Sequence, residues 1–170
     1  QLEIRPSERL KAVAGLRLEH FSLDGKSDRL IPIVRAGLNW KAADYTYLRA
    51  SFGQGYRFPS IAEKFASTTL GSVKIIPNPD ILAEEGWNTE IGLKQGFLLG
   101  KIAGQADLSV FLMQNSNLIE FLFATYPGKG IGFRADNLEK ARIYGTEFET
   151  AFEIQIGQVN ILVSGGYTYI

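Results

Sequence analysis

The chain contains no cysteine, so neither a disulfide framework nor a thiolate metal site can be built from it. It has a single histidine, His20. A Ser-His-Asp arrangement would rest on that residue alone, and no motif surrounds it, so it reads as an ordinary strand-end histidine. Net charge is also missing, because 18 basic residues cancel 18 acidic ones. Without a basic run there is no electrostatic footprint for nucleic acid. No apolar stretch approaches the roughly 20 residues of a membrane helix. The N-terminus lacks a basic-then-apolar leader, which for an exported protein predicts a start upstream of Gln1. Gly96 to Lys101 has the outline of a phosphate loop, but it is one residue short and no Ser or Thr follows the lysine, so it reads as a turn. No cofactor, metal ligand set or catalytic residue is expected.

What the chain does have is glycine and aromatics, with 18 Gly, 11 Phe and 7 Tyr. That composition leans toward pleated, half-buried surfaces. The stronger signal is alternation. From Tyr144 every second residue reads Tyr144, Thr146, Phe148, Thr150, Phe152, Ile154, Ile156, while the set between contains Gly145, Glu147, Glu149 and Glu153. Successive strand side chains point to opposite faces, so one face is apolar and the other carboxylate-bearing. A helix would mix the two sets.

The same period recurs along the chain and predicts seven strands: Leu10 to Phe21, Ile33 to Trp40, Tyr45 to Gly55, Trp87 to Leu99, Ile102 to Phe123, Gly132 to Ile156 and Val159 to Ile170. Connections alternate in length. Lys41 to Asp44, Gly100-Lys101 and Gly157-Gln158 are tight, whereas Ser22 to Pro32, Tyr56 to Gly86 and Ala124 to Ile131 are long. Short turns at one end and long loops at the other mark outer-membrane barrels, with the long loops outside. A soluble antiparallel sandwich or lipocalin-like barrel also alternates and remains the rival at this point.

The first strand-to-long-loop passage reads Gly53-Gln54-Gly55-Tyr56-Arg57-Phe58-Pro59-Ser60-Ile61-Ala62-Glu63. Ser60 and Glu63 have capping-box spacing, predicting a short helix from Ile61 to about Ala66. Asn78-Pro79-Asp80-Ile81 follows, then Glu84, Glu90 and Gly92, and later Asn137, Gly145 and Glu147. Pro59 and Pro79 each mark an exit from ladder pairing, and Arg57 is placed to pair with Asp80 or Glu84. Taken in order, these motifs resemble the barrel of a TonB-dependent outer-membrane receptor. Ala83 and Gly86 stand where that family usually has Pro and Ser.

The resemblance implies an all-β, antiparallel transmembrane barrel of about 22 strands around an N-terminal plug. The seven strands, with a short helix in one long loop, would be part of it. Residues 1–170 would then be an interior piece, lacking the plug, the TonB-contacting segment and the C-terminal strands. It further implies a bacterial outer-membrane transport protein rather than an enzyme. Its partners would be outer-membrane lipid, the TonB protein and a small-molecule ligand, most simply a ferric siderophore or other iron chelate. Cobalamin, haem or oligosaccharide uptake, or a barrel for adhesion or secretion, are the alternatives. Haem is disfavoured because members that take it carry a histidine between the Arg-Pro and Asn-Pro motifs, and none lies between Pro59 and Asn78. Arg57, Pro59, Asn78, Pro79, Asp80, Glu84, Glu90, Gly92, Asn137, Gly145 and Glu147 are the family-motif residues, expected to shape the loop and its return, with direct ligand contact the lesser alternative. Arg49, Lys94, Glu90, Glu147, Glu149 and Glu153 should face the lumen, pairing with the plug or with each other, or lining a solvated wall.

Overall fold

A computed structural model of the chain describes residues 1–23, 26–27 and 30–170. The elements in order are β1 (Leu2–Ser7), β2 (Leu10–Glu19), β3 (Ser22–Leu23), β4 (Lys26–Ser27), β5 (Ile31–Ala43), β6 (Thr46–Arg57), α1 (Ile61–Phe65), β7 (Thr68–Leu70), β8 (Val73–Ile76), β9 (Glu84–Leu99), β10 (Ile102–Tyr126), β11 (Gly130–Ile156) and β12 (Val159–Tyr169). The long strands β1, β2, β5, β6, β9, β10, β11 and β12 pair antiparallel in that order, and the sheet curls into a half-barrel. Strands β3 and β4 form a separate hairpin within the connection read from Ser22 to Pro32, part of which lies outside the described residues.

The sequence predicts seven of these strands, and the structure adds β1 ahead of them. Its alternation of Leu2 and Ile4 with Glu3 and Arg5 is interrupted by Pro6, which has no N–H to give the ladder. The pairing with β2 shifts register between Ile4 and Ser7. The expected long connection from Ala124 to Ile131 is a second difference. Pairing continues from Ile102 up to Tyr126 opposite Gly130, leaving only Pro127–Lys129 as a turn, closed by Lys129 N–H to the Tyr126 carbonyl at 2.9 Å. The proline and glycines there mark the tip of a ribbon, not a loop. The tight turns at Gly100-Lys101 and Gly157-Gln158 fall where expected, whereas the one expected at Lys41 to Asp44 narrows to Asp44-Tyr45 because β5 pairs on to Ala43. A left-handed residue closes each of three of them, with φ of 67° at Tyr45, 63° at Gly100 and 64° at Gly157.

Register settles what each face carries. One row across the sheet runs Leu10, Trp40, Leu48, Leu93, Leu108, Phe148, Tyr167. The neighbouring row on the opposite face runs Lys11, Asn39, Arg49, Gly92, Ser109, Glu147, Thr168. Between the row of Ile154 and the row of Tyr144, no position on the apolar face of any long strand is charged. That rise is about 33 Å along the strand, or roughly 25 Å at the tilt of membrane strands, which matches the apolar band of an outer-membrane barrel.

The molecule is correspondingly poor in core. Among the described residues the buried apolar set is Ile31, Ile33, Ile76, Ile81, Ile119, Tyr126 and Ala135, while Leu93, Leu108, Phe148, Trp40 and Tyr167 stand exposed. A soluble sandwich would bury this apolar face; here it covers nothing within the chain. Among the described residues no helix is long and apolar enough to cross a membrane.

Candidate functional site

Two constellations on the polar face gather the motif residues. The first lies within the wall. Arg49 projects from β6, and the residue paired with it on β9 is Gly92. Because Gly92 has no side chain, the guanidinium lies flat across β9 and reaches β10 beyond it. Nη1 donates to both oxygens of Asp107 at 2.6 and 2.7 Å, and Nε donates to Glu90 at 3.0 Å. A Cβ at Gly92 would sit 2.5 Å from Arg49 Cζ and 2.7 Å from Nε. The Glu-x-Gly pair therefore serves one arginine, with Glu90 as acceptor and Gly92 as the vacancy it crosses. Gly145 is used similarly. It is buried, and the ring of Phe111, its cross-strand partner, would stand 2.7 Å from a Cβ there.

The second constellation closes the loop between β6 and β9. Arg57, at the end of β6, faces Glu84, at the start of β9. Its Nε and Nη2 donate to the two Glu84 oxygens at 2.7 Å each, and Nη1 donates to Glu63 at 3.0 and 3.1 Å. Such forked, charge-assisted bonds are the strong kind. Glu63 also completes the expected capping box at α1. Its carboxylate accepts the Ser60 N–H at 2.6 Å, and its own N–H donates to Ser60 Oγ at 3.2 Å. Glu84 additionally accepts the Ile119 N–H of β10 at 2.8 Å.

The electrostatics follow from these contacts. The paired carboxylates raise the Arg57 pKa above its ordinary value, Glu84 contributing most. Arg57 in turn holds Glu84 below the ordinary carboxylate value. Burial pushes Glu63 up, but the Ser60 amide and hydroxyl and Arg57 outweigh it, so its pKa is lowered.

From this knot the loop crosses to the far side of the hairpin and is pinned there. Strand β8 pairs in parallel with Gly132–Arg134 of β11. Asn78 Nδ2 donates to the Ala135 carbonyl at 2.9 Å and to Asp136 at 3.0 Å. Asn137 accepts the Leu82 N–H at 2.8 Å and donates to the carbonyls of Leu82 at 2.9 Å and Asn117 at 2.8 Å. Lys64 donates to the carbonyl of Pro79 at 3.2 Å. Ile81 packs with Ile119 and Ala135 in a cluster of buried side chains.

Most motif residues are thus brought together in these two groups. Pro59 is buried beside α1. Asp80 is not drawn in: it is exposed in a turn, and the ion pairs of Arg57 go to Glu84 and Glu63, not to Asp80. Glu147 stands apart as an exposed carboxylate opposite Ser109. Asp107 was visible in the alternating pattern of β10, but its role as partner of Arg49 depends on the pairing of three strands. Glu63 was legible as a cap and not as the second partner of Arg57. Between the two groups, glycines leave a cavity of about 660 Å³ lined by Arg35, Ser51, Gly53, Arg57, Asn88 and Asn115. Asn88 lies over Gly53, where a Cβ would meet its Oδ1 at 2.8 Å.

The family model described as TonB dependent receptor-like, beta-barrel matches residues 1–170. Among curated protein sequences no match is found. Among solved structures, the ferric enterobactin receptor PfeA of Pseudomonas aeruginosa superposes with a TM-score of 0.67 at 17% identity, over 98% of this chain and 25% of that one. The hemophore receptor HasR of Serratia marcescens, solved with its hemophore HasA and heme, gives 0.66 at 14% identity, over 94% and 30%. The siderophore receptor PirA of Acinetobacter baumannii gives 0.63 at 19% identity, over 98% and 26%. At these identities the likeness is one of fold. The chain spans about a quarter to a third of the length of each of these receptors.

Proposed function

Because the chain belongs to the TonB-dependent receptor β-barrel family, a family of the Gram-negative outer membrane, we propose that it is part of the wall and outer mouth of an uptake receptor for a ferric siderophore or similar iron chelate. On this reading residues 1–170 are an interior part of a larger barrel. Its apolar face meets lipid and its polar face meets the lumen. The plug, the TonB contact and the remaining strands are supplied by other parts of the receptor. The chain's own work is positional. The Arg49 bridge across β9 keeps long side chains flat against the wall, so the lumen stays open to a filling domain. The Arg57 knot holds the loop from Phe58 to Ala83 over the mouth. Transport rather than catalysis is the activity this arrangement serves.

The observation that carries the reading is the face with no charge over the height of a bilayer, opposed by a face of paired charges. Relatives in fold include receptors described for siderophores, which favours an iron chelate. A heme cargo, as for HasR, is disfavoured by the lack of histidine between Pro59 and Asn78.

The test is uptake by cells whose own chelate receptors are deleted and which express the full-length receptor. Radioactive iron given as catecholate or hydroxamate chelates should accumulate, and should stop accumulating when TonB is removed. Accumulation of heme or cobalamin but of no iron chelate would replace this reading.

A further inference from the structure

The apolar face ends abruptly at its upper edge. Above the row that holds Tyr144, the next two positions of β11 on that face are Arg142 and Lys140, and both are exposed. Arg142 Nη2 donates to Gln114 Oε1 at 2.8 Å, which holds the guanidinium against the wall and leaves its remaining N–H groups without a partner among the described residues. Lys140, opposite Ser116, makes no hydrogen bond or ion pair among the described residues. Trp87 lies in the same row as Gln114 and Arg142. The carboxylate at this height, Glu85, is two strands from Lys140, about 10 Å away.

An aromatic side chain and two cations at the rim of an apolar wall stand where lipid headgroups begin. Among the described residues, neither cation lines any of the five principal cavities. A soluble anion would therefore be held only by two exposed side chains. A lipid, in contrast, is brought to this height by its acyl chains, which cover the rows of Phe148 and Tyr144 below. Positive charge beside an anionic leaflet then adds to a contact already made.

We propose that Arg142 and Lys140 form a subsite for the phosphate groups of phosphorylated lipid headgroups in the outer leaflet. The inference rests on the reading of the apolar face as lipid-facing. Each cation contributes about a fivefold gain in retention of such a lipid, and the pair about 25-fold.

The experiment uses the full-length receptor in phosphatidylcholine nanodiscs containing lipid A in its phosphorylated or dephosphorylated form. Retained lipid A is measured by native mass spectrometry for the parent, K140Q, R142Q, the double variant, and K94Q as a cation on the opposite face. Retention of phosphorylated lipid A should fall about fivefold in each single variant and about 25-fold in the double variant. K94Q should match the parent, and dephosphorylated lipid A should be retained alike by all. Unchanged retention in the single and double variants overturns the subsite. So does equal loss of both lipid forms, or displacement by millimolar inorganic phosphate. Mobility of the unheated receptor on a gel reports insertion into lipid separately. If the parent does not insert, the lipid-facing reading itself falls.

Discussion

Alanine in place of glycine within a strand ordinarily stabilises, by roughly 0.5–1 kcal/mol, because glycine loses more conformational freedom on folding. At Gly92 the opposite sign is expected. A Cβ there would lie 2.5 Å from Arg49 Cζ, 2.7 Å from Nε and 2.8 Å from Nη2. The obstructed group is the end of a flexible side chain, so the backbone need not move. The guanidinium must instead lift off β9 and release Asp107, which it holds at 2.6 and 2.7 Å. These charge-assisted bonds are only half-buried, with the arginine side chain 34% exposed. Their loss should cost about 1–3 kcal/mol rather than the full penalty of a buried pair. Net of the glycine gain, Gly92→Ala should destabilise the full-length receptor by about 0.5–2 kcal/mol. Once Arg49 is already alanine, the same change should be neutral or mildly favourable. Reversible denaturant unfolding from lipid vesicles, run as a double-mutant cycle, reads the coupling directly. If Gly92→Ala alone were as stable as the parent, or if the two substitutions were additive, the claim that Gly92 exists to let Arg49 cross β9 would be wrong.

Three other expectations follow from the same contacts. Phe148→Arg places a cation mid-band on the apolar face and should cost about 2–4 kcal/mol of stability in lipid, whereas Glu149→Arg on the polar face should cost far less; equal losses would refute the assignment of faces. Glu84 and Glu63 are held below the ordinary carboxylate value, so the stability they give is present above the unfolded value near about 4.3 and is lost as pH falls through their lowered folded values. Hydrogen exchange in the loop from Phe58 to Ala83 should therefore rise below about pH 4, and should rise less in Arg57→Ala, where only the bonds from the Ser60 and Ile119 amides to the two carboxylates are left to lose. An epitope inserted at Ser72, in the turn between β7 and β8, should be reached by antibody on intact cells, and one between Asp44 and Tyr45 only after the outer membrane is opened; reversed labelling would invert the orientation.

The strands were legible because the two faces differ so sharply in kind. An uncharged set such as Thr146, Phe148, Thr150 and Phe152 alternating with Glu147, Glu149 and Glu153 has only one periodic reading. The knot was half legible. Capping-box spacing is local, so Ser60 and Glu63 announced α1, and Glu84 was one of two candidate partners for Arg57. Register is not local. The approach of Asp107 to Arg49 follows from three strands sliding into alignment, and no spacing along the chain encodes it. The parallel pairing of β8 was hidden for a related reason. It involves three residues on each side, and its room is made by Gly132, where a Cβ would collide with the Lys74 carbonyl. A single glycine in a strand does not reveal which neighbour it admits.

The unequal height of the strands has a mechanical consequence. Beyond Ser116, the last residue of β10 that pairs with β9, the β10–β11 ribbon continues to Tyr126, about 33 Å of extended chain, and two strands alone are barely stable in water. It is a cantilever, clamped where the wall begins. Its brace is the loop that pairs through β8 at Gly132–Arg134 and bonds through Asn78 and Asn137. Asn117, the lone non-glycine residue of β10 in the left-handed region with φ of 57°, sits where that brace takes hold through Asn137. A load applied at Pro127–Lys129 is therefore delivered, through the brace, to Arg57 and Glu84. Tip and mouth bend together, as one lever.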